Sequence, residues 1–438
     1  FQNLIFSRNV LNNESFKYIN NNKKPENEIL DYRSQEIENN LRIDNTYRNK
    51  GYKIVMSAQL AQAKYGNTTY QRRFIGDQTN IIDYDTDLTL YKWGLSGQIS
   101  KAYLRDKLRL SLGIRSDANN YSSNMNNLAN QLSPRFSASY SLTKRLNINF
   151  NTGLYYELPP YTSLGFRNSA GELVNKQNGI KYISVAHYIA GFEFFRNADS
   201  KISLEGFYKK YNDYPISVTD SISLANKGAD FAVIGDEEII SRGKGRAYGL
   251  ELSGRYVLFE NMESIVSYTL VKSEFDNYKG EYIPSSWDSR HIFTMTTTKP
   301  FGQKWQAGYR LRYVSGLPYT PYHLEKSSLV TAWQTRGQPF KDFSKYNSKR
   351  LKDFVQLDIR IDRRFYFSNI ALTLYLDVQN VLNYQAEQPD IIIPETDSSG
   401  DRIIVNPDAP KSEQRYKLER IDNTTGTVLP TIGIILDF

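Results

Sequence analysis

The chain has 438 residues, and its 55 lysines and arginines against 47 aspartates and glutamates give a formal net charge of +8. It contains no cysteine, which excludes disulfide scaffolds, thiolate metal sites and cysteine nucleophiles. The longest uninterrupted apolar runs are four residues. A membrane-spanning helix needs roughly 20 apolar residues, so a helical membrane protein is also excluded. Aromatic residues make up 13% of the chain, and this excess needs a structural explanation.

Apolar side chains recur at every second position in segment after segment. The clearest examples, in chain order, are 107–117, 145–156, 304–314, 353–363, 369–380 and 430–438. A period of two indicates a β-strand with one apolar and one polar face. About sixteen such segments occur, and most are near the roughly 9–11 residues that a tilted strand needs to cross a bilayer. Helical periodicity is weak throughout, and its best candidate is the charged stretch 25–39.

The connections between these segments alternate between short turns and long polar loops. The predicted short turns are 49–51, 104–106, 143–144, 196–200, 258–261, 299–303 and 364–368. The predicted long loops are 21–39, 65–90, 118–132, 157–184, 213–245, 275–288, 315–352 and 381–429. Short turns on one rim and long loops on the other are typical of an outer-membrane barrel. The pattern therefore predicts an all-β fold: a transmembrane antiparallel β-barrel with long extracellular loops.

The chemistry of the two strand faces agrees with this prediction. Charged residues that suit a hydrated lumen rather than hydrocarbon occupy the polar face: Arg109, Arg115, Glu251, Arg255, Asp358, Arg360 and Asp362. Aromatic residues near strand ends suit the girdles at the membrane surfaces: Trp93, Tyr155, Tyr156, Tyr208, Tyr211, Tyr268, Phe365, Tyr366 and Phe367. We therefore expect Leu374 to face lipid and its neighbour Thr373 to face the lumen. The alternative is a large soluble β-sandwich or β-propeller, although no repeat of blade-like period is present.

Four stretches in the second half of the chain resemble the barrel strands of TonB-dependent outer-membrane receptors. They are 245–252 (GRAYGLEL), 288–291 (DSRH), 315–321 (SGLPYTP) and 376–383 (LDVQNVLN). The last residues (GIILDF) are similar to the terminal strand by which the outer-membrane assembly machinery recognises barrels, so Phe438 is the expected assembly signal. The motifs cover roughly residues 240–438. The Tyr/Asn/Lys/Ile bias is similar to receptors of Bacteroidetes.

This resemblance implies a larger protein, because barrels of the family have 22 strands around a plugged lumen. Residues 1–438 would be the C-terminal portion of the barrel, and the plug domain and first strands would not be present in this chain. The chain begins with Phe1 and shows no basic-then-apolar leader, so we expect any export signal to lie upstream.

The resemblance also implies active uptake of a ligand across the bacterial outer membrane, powered by the TonB-ExbB-ExbD energy-coupling system. This chain would supply barrel wall, lumen lining and extracellular loops. The substrate stays open between peptide, glycan, iron chelate and cofactor. Two other interpretations also stay open: a passive, porin-like diffusion channel of sixteen strands, and a barrel that acts as a scaffold or secretion partner.

No catalytic, cofactor or metal site is predicted. No elbow such as G-x-S-x-G frames a serine nucleophile, and the histidines are widely spaced: His187, His291 and His323. Calcium is an alternative for the 390–401 loop, although its spacing does not match an EF-hand. The carboxylates of that loop are Asp390, Glu395, Asp397 and Asp401.

The basic residues form no stripe of the kind that binds nucleic acid. Their surplus instead favours anionic lipopolysaccharide at the outer rim or anionic solutes in the loops. Loop aromatics with nearby arginines are more specific candidates for ligand contacts, because aromatic rings and guanidinium groups make adaptable binding surfaces. The predicted ligand-binding loop residues are Tyr161, Arg167, Arg242, Trp287, Tyr319, Tyr322, Trp333 and Arg336. The alternative is that these side chains pack the loops against each other or form the upper aromatic girdle.

Overall fold

The structure, a computed structural model, describes residues 1–75, 78–197, 199–227, 235–259, 261–277 and 279–438. At residues 20, 73–75, 78–80, 258, 335 and 336 it describes the backbone and not the side chain. The strands are β1 (Gln2–Tyr18), β2 (Glu28–Asn49), β3 (Tyr52–Ile75), β4 (Gln78–Tyr103), β5 (Leu108–Asn119), β6 (Ser133–Ser141), β7 (Leu146–Glu157), β8 (Ile183–Phe195), β9 (Lys201–Ser217), β10 (Ile239–Leu258), β11 (Met262–Asp276), β12 (Tyr282–Pro284), β13 (Arg290–Phe301), β14 (Trp305–Val314), β15 (Pro318–Tyr319), β16 (Lys349–Arg350), β17 (Phe354–Tyr366), β18 (Ala371–Gln379), β19 (Ala386–Glu387), β20 (Ile391–Pro394), β21 (Leu418–Ile421), β22 (Thr424–Thr425) and β23 (Leu429–Asp437).

The helices are short and lie in the connections between strands. They are α1 (Ser123–Asn126), α2 (Tyr161–Leu164), α3 (Val174–Gln177), α4 (Leu324–Ser328) and α5 (Val330–Arg336), with 3-10 turns at Ile19–Asn21, Pro25–Asn27, Leu128–Gln131 and Phe343–Lys345. Among the residues that the structure describes, no helix has the length and apolar character needed to span a membrane.

Seventeen strands form one sheet, and sixteen of them build an antiparallel meander in which each pairs with the next. The meander runs from β1 to β11 and continues through β13, β14, β17, β18 and β23. The seventeenth strand, β12, pairs with the end of β11. Between the described residues, no backbone pairing joins β1 to β23. The predicted all-β barrel wall of about sixteen strands is confirmed, and each predicted short turn lies between two strands that pair with each other.

The predicted long loop over 65–90 is wrong. Strand β3 continues to Ile75 and β4 begins at Gln78, with these two residues paired directly across the hairpin. The outward positions of this hairpin are polar and exposed, as at Lys64 and Asp85. Such residues resemble a loop in the sequence because the strands here extend beyond the apolar band into water.

The predicted loop over 21–39 is confirmed only as far as Asn27; over 28–39 the loop and the weak helical signal are wrong for the same reason. Strand β2 begins at Glu28, and its inward side chains Leu30 and Tyr32 are buried. The outward residues Asp31 and Arg33 are polar because this end of the strand also lies beyond the apolar band.

Exposure alternates along the wall strands as the two-residue period predicts. Leu374, Leu376 and Ile434 are exposed on the outer face of adjacent strands β18 and β23. Thr373 and Asp377, on the opposite face of β18, line an inner cavity of about 650 Å³. The apolar face of the wall therefore points outward and the polar face points into the lumen, as predicted.

The main buried core lies where the loops meet the inner face of β3 and β4. Its members are Ala63, Tyr65, Leu88 and Leu90 from those strands and Tyr121, Met125, Leu164, Ile180, Tyr182, Leu224 and Ile239 from the loops and the start of β10. The loops on this side therefore fold back over the mouth of the barrel. We refer to this packed set as the loop layer.

Candidate functional site

Tyr161 begins α2 and is directed into the mouth of the barrel. Its ring stacks on Tyr65 of β3, with 5.9 Å between the ring centroids. Its hydroxyl accepts a hydrogen bond from Lys92 Nζ at 3.0 Å and donates one to Glu38 Oε2 at 3.3 Å. Burial raises the pKa of the Tyr161 phenol, and the hydrogen bond from Lys92 offsets part of that rise. Tyr161 therefore anchors the loop layer to the wall as a neutral phenol.

Arg167 lies in the same loop and holds its path across the mouth. Its Nε donates to Thr86 Oγ1 of β4 at 3.2 Å, and its Nη1 donates to the carbonyl of Gly171 at 2.7 Å. The preceding side chain, Phe166, packs edge-on against Tyr84 at 5.6 Å. These contacts occupy two guanidinium nitrogens, so Arg167 also positions the loop.

Buried polar side chains that the sequence analysis did not single out hold the loop layer together. Asn119 Nδ2 donates to the Tyr182 hydroxyl at 2.8 Å, and Asn119 Oδ1 accepts the Tyr121 backbone N–H at 2.8 Å. The Tyr121 hydroxyl donates to the Leu164 carbonyl at 2.8 Å. Burial raises the pKa of Tyr182 to about 12, against the hydrogen bond from Asn119, which lowers it. Both phenols are therefore neutral structural groups at ordinary pH.

Asn175 joins two different loops. Its Nδ2 donates to the carbonyls of Ser163 at 2.6 Å and Glu237 at 2.9 Å. Its Oδ1 accepts the backbone N–H of Ile239 at 2.8 Å, where β10 begins. Because this side chain is fully buried and satisfies three backbone groups, it fixes the loop between β7 and β8 to the loop before β10. Its position in the sequence carries no signal of this role.

A buried ion pair ties the loop before β17 to the turn that opens β13. The Arg350 guanidinium donates to the Asp288 carboxylate, to the Asp288 carbonyl at 2.6 Å and to the Gly316 carbonyl at 2.9 Å. Asp288 also accepts the Ser273 backbone N–H at 2.9 Å. A side chain at Gly316 would collide with the carbonyl oxygen of Leu351. The DSRH and SGLPYTP stretches are thus explained as parts of one structural joint.

Asn347 extends this joint to a third loop. Its Nδ2 donates to the carbonyls of Asn226 at 3.0 Å and Pro284 at 2.9 Å. Ser286 Oγ donates to the same Asn226 carbonyl at 2.8 Å, and its backbone N–H donates to the carbonyl of Ala225 at 3.2 Å. The bases of three long loops therefore meet in a single hydrogen-bonded junction.

The loops before β17 and β23 are joined to each other by backbone and side-chain contacts. The N–H of Val330 donates to the Gln414 carbonyl at 2.9 Å. Arg415 Nη1 donates to the Glu325 carbonyl at 2.6 Å and to Ser328 Oγ at 2.9 Å. Its Nη2 also lies 3.5 Å from the Glu325 carboxylate. We call these two loops together the paired loops.

Trp333 is buried inside the paired loops. Its indole Nε1 donates to the Ser327 carbonyl at 2.6 Å, and the guanidinium of Arg402 lies 5.9 Å from its ring. Tyr319 and Tyr322 are half-buried nearby in the same loop. Burial raises the pKa of the Tyr322 phenol, with smaller contributions from Asp390 and Tyr319. The two tyrosines keep part of their surface available at the mouth.

The remaining predicted residues are separate from one another. Trp287 is 57% exposed, beside the Asp288 joint, and Arg242 is exposed near the start of β10. The side chain of Arg336, at the end of α5, lies outside the described residues. The structure therefore places Tyr161 and Arg167 in the loop between β7 and β8, which contributes to the loop layer, and Tyr319, Tyr322 and Trp333 in the paired loops.

The three histidines make contacts within the wall and loops. The His187 ring lies 4.6 Å from the Tyr155 ring, and His291 Nδ1 is 2.8 Å from the Tyr268 hydroxyl. His323 precedes α4, and its Nδ1 accepts the N–H of the third residue of that helix at 3.3 Å. Each imidazole thus has a structural neighbour.

The carboxylates of the 390–401 loop have partners of their own. Asp390 pairs with Arg420, and Glu395 pairs with Lys417 at 2.9 Å. Asp397 Oδ1 accepts backbone N–H groups two and four residues further on, at 2.9 and 3.0 Å. Over the described part of the chain, no three histidine, aspartate or glutamate side chains are grouped to hold a metal ion. The geometry is that of a capped hairpin turn.

The inner cavity of about 650 Å³ lies on the lumen side of β13, β14, β17 and β18, toward the short-turn rim. Arg310 donates to Asp358 Oδ2 at 2.8 and 3.0 Å, and Arg360 donates to Asp362 at 2.7 Å. Cations and anions alternate along this inner wall, so its surface is strongly polar without a single sign of charge.

Residues 2–381 match the family model for the TonB dependent receptor-like β-barrel. The chain belongs to this family. It is therefore a β-barrel of the bacterial outer membrane, which explains the alternating faces of its strands. A comparison with curated protein sequences finds no match.

Solved structures with the same fold are TonB-dependent receptors of low sequence identity. The ferripyoverdine receptor of Pseudomonas aeruginosa superposes with a TM-score of 0.61 at 14% identity, over 88% of this chain and 50% of that one. The ferric citrate transporter FecA gives 0.58 at 14% identity, over 100% and 59%. The copper transporter OprC gives 0.60 at 13% identity, over 92% and 60%. The chain thus spans about half the length of the receptors that it matches.

Proposed function

We propose that this chain is the larger part of the barrel of a receptor that takes up a ligand across the outer membrane with energy supplied through TonB. The observation that carries the proposal is the family match over residues 2–381. The chain would supply the wall, the lumen lining and the extracellular loops. It would do so as a transporter and not as an enzyme.

A plug domain and further strands upstream of Phe1 are part of this proposal. Two observations support them. The chain spans about half of each solved neighbour, and the edges of β1 and β23 are not paired with each other among the described residues. Unpaired backbone groups in hydrocarbon cost several kcal/mol each, so a complete receptor would cover both edges.

The predicted ligand-binding residues differ in whether their side chains hold the loops together or are exposed at the mouth. Tyr161, Arg167 and Trp333 are committed to contacts that hold the loops, so we propose a positioning role for them. Trp287 and Arg242 are exposed at the mouth, and we propose that they contact the ligand first. Tyr319 and Tyr322 would join them from the paired loops, whereas Arg336 stays a prediction.

Interlocked loops suit a receptor because a preformed site loses less conformational entropy on binding than a mobile one. The hydrogen-bonded junction at Asn226 and Asn347, and the loop layer beside it, would present the exposed aromatics in a fixed arrangement. The ligand would then enter the polar lumen when the TonB-ExbB-ExbD system pulls on the plug. We also propose contact with lipopolysaccharide at the outer rim and recognition of Phe438 by the assembly machinery.

The solved neighbours are named for ferripyoverdine, ferric citrate and copper, which makes iron chelates and copper the first substrates to test. The full-length receptor is produced in an outer membrane that lacks its own transporters for ferric citrate, ferripyoverdine and copper. Uptake of each compound is measured with a functional and with a deleted TonB protein. We expect uptake of at least one of these three compounds to depend on both the receptor and TonB.

Uptake without TonB, and conductance of the purified protein, distinguish this proposal from the two competing functions. A sixteen-stranded diffusion channel predicts steady conductance of the purified protein in planar bilayers, and solute entry that persists without TonB. A scaffold or secretion partner predicts neither uptake nor conductance, and a stable protein complex on purification. Either result would replace the uptake proposal.

A further inference from the structure

Two lysines on the outer face of the wall, at the short-turn rim, are held over aromatic rings. Lys101 of β4 lies directly opposite Tyr52 of β3, with its Nζ 3.9 Å from the Tyr52 ring and 5.3 Å from the Tyr103 ring. Lys299 of β13 lies 5.5 Å from the Phe301 ring. The rings belong to the aromatic girdle at this rim.

Two arginines repeat this arrangement further along the rim. Arg363 of β17 lies opposite Trp305 of β14, and its guanidinium is 5.0 Å from the Trp305 ring and 4.9 Å from the Phe365 ring. Arg196, in the turn after β8, lies 5.1 Å from the Tyr256 ring and donates a hydrogen bond to its hydroxyl. Lys101, Arg196, Lys299 and Arg363 thus recur from β4 to β17, and we call them the cation belt.

The cation belt differs from the arginines of the lumen in its counter-charges. On the inner wall, Arg310, Arg360 and Arg364 each pair with an aspartate, at 2.8, 2.7 and 2.6 Å. Across the described ranges, none of the four belt cations has a carboxylate within 4.0 Å. Their neighbours on the same face are apolar, as at Leu374 beside Arg363. The described residues therefore supply these groups with no counter-charge, and a lipid headgroup at this level of the membrane would supply one.

The position of the belt specifies the source of that charge. Aromatic rings concentrate at the level of the lipid headgroups, and lysine or arginine side chains nearby extend their charged ends toward the same level. Short turns mark the periplasmic rim of an outer-membrane barrel. The belt therefore lies at the phosphates of the periplasmic leaflet, on the opposite side from lipopolysaccharide.

We propose that the cation belt binds the headgroups of anionic phospholipids in the periplasmic leaflet. Each cation is pre-positioned by the ring beneath it and offers its remaining N–H donors to a headgroup phosphate. The rings hold the adjacent acyl chains through apolar contact. Four such contacts around the wall select anionic over zwitterionic lipid and fix the depth of the barrel in the membrane.

The test uses the full-length receptor reconstituted in vesicles of equal parts phosphatidylcholine and phosphatidylglycerol. Native mass spectrometry after extraction measures the ratio of the two lipids that stay bound. We expect phosphatidylglycerol to be enriched on the natural protein and the enrichment to fall with added salt. The variant K101Q/R196Q/K299Q/R363Q should lose about fivefold in this ratio or more, because each cation near an anionic surface contributes about that factor.

A matched control removes the same charge elsewhere. The variant K24Q/K279Q/K326Q/K411Q neutralises four exposed lysines in the connections between strands and should keep the enrichment. The conservative variant K101R/K299R should keep it as well, and the half-belt variant K101Q/K299Q should lose part of it if the fourfold variant does not fold. No preference in the natural protein, or an equal loss in the loop control, would show that the belt does not bind anionic lipid.

Discussion

Arg350 and Asp288 form an ion pair at the base of the extracellular loops, although 62 positions separate them in the chain. The Asp288 side chain is 1% exposed and that of Arg350 is 24% exposed. The pair joins the end of the loop before β17 to the opening of β13. Loop position at this side of the mouth therefore depends on a contact between distant segments.

Replacing Arg350 by methionine should loosen the paired loops. The change leaves the buried Asp288 carboxylate with only the more distant Arg290 guanidinium, at 3.9 Å, and costs about 3 kcal/mol of stability. Limited proteolysis of the purified receptor, with denaturant unfolding, measures the effect. Lys349→Met, at the exposed neighbouring position, should cost less than about 0.5 kcal/mol. Equal sensitivity of the two variants would mean that the pair does not hold the loop.

Leu374→Asp and Thr373→Asp test the facing of the wall. Leu374 is exposed on the outer face, whereas Thr373 lines the inner cavity. A carboxylate in lipid should cost about 2 kcal/mol and reduce assembly, while one in the lumen should be nearly silent. The amount of folded receptor in isolated outer membranes, measured by heat-dependent gel migration, reports the difference. Similar losses in both variants would contradict the assignment of the faces.

Deleting Phe438 should lower the yield of folded receptor without lowering its stability. The side chain is 95% exposed, so its removal breaks few contacts in the folded wall. Quantitative blotting of outer membranes gives the yield, and thermal unfolding of the purified protein gives the stability. Phe438→Tyr keeps an aromatic terminus and should restore assembly. A lower unfolding temperature would instead identify Phe438 as a structural residue.

Alkaline pH should weaken the loop layer. Burial raises the pKa of Tyr182 from 10.0 to about 12, so the folded protein holds this proton more tightly than the unfolded chain. The stability that this neutral phenol contributes is complete below pH 10.0 and falls as pH rises toward about 12.

Proteolysis of the loops over this pH range, with tyrosinate absorbance in parallel, follows the change. Tyr182→Phe should flatten the pH dependence of loop proteolysis between pH 10.0 and about 12. Tyr47→Phe, at an exposed position, should leave that dependence unchanged. A loop layer that stays intact through the titration of Tyr182 would contradict this account.

The sequence alone determined the wall. A period of two requires alternate side chains to face opposite solvents whatever the strands pair with, so the facing of Leu374 and Thr373 follows from spacing. Turn lengths then distinguish the two rims. The same reasoning failed over 65–90 and 28–39, because strands that extend into water carry polar residues outward and look like loops.

Only the tertiary structure decided the loops. Tyr161 meets Glu38 across 123 positions, and Asn347 meets Asn226 across 121. No local pattern predicts such pairs, because hydrogen bonds between distant segments depend on where the whole wall brings them. The aromatic residues of the loops were visible in the sequence from the start. Which of them hold the mouth together, and which stay open at its surface, is set by the fold.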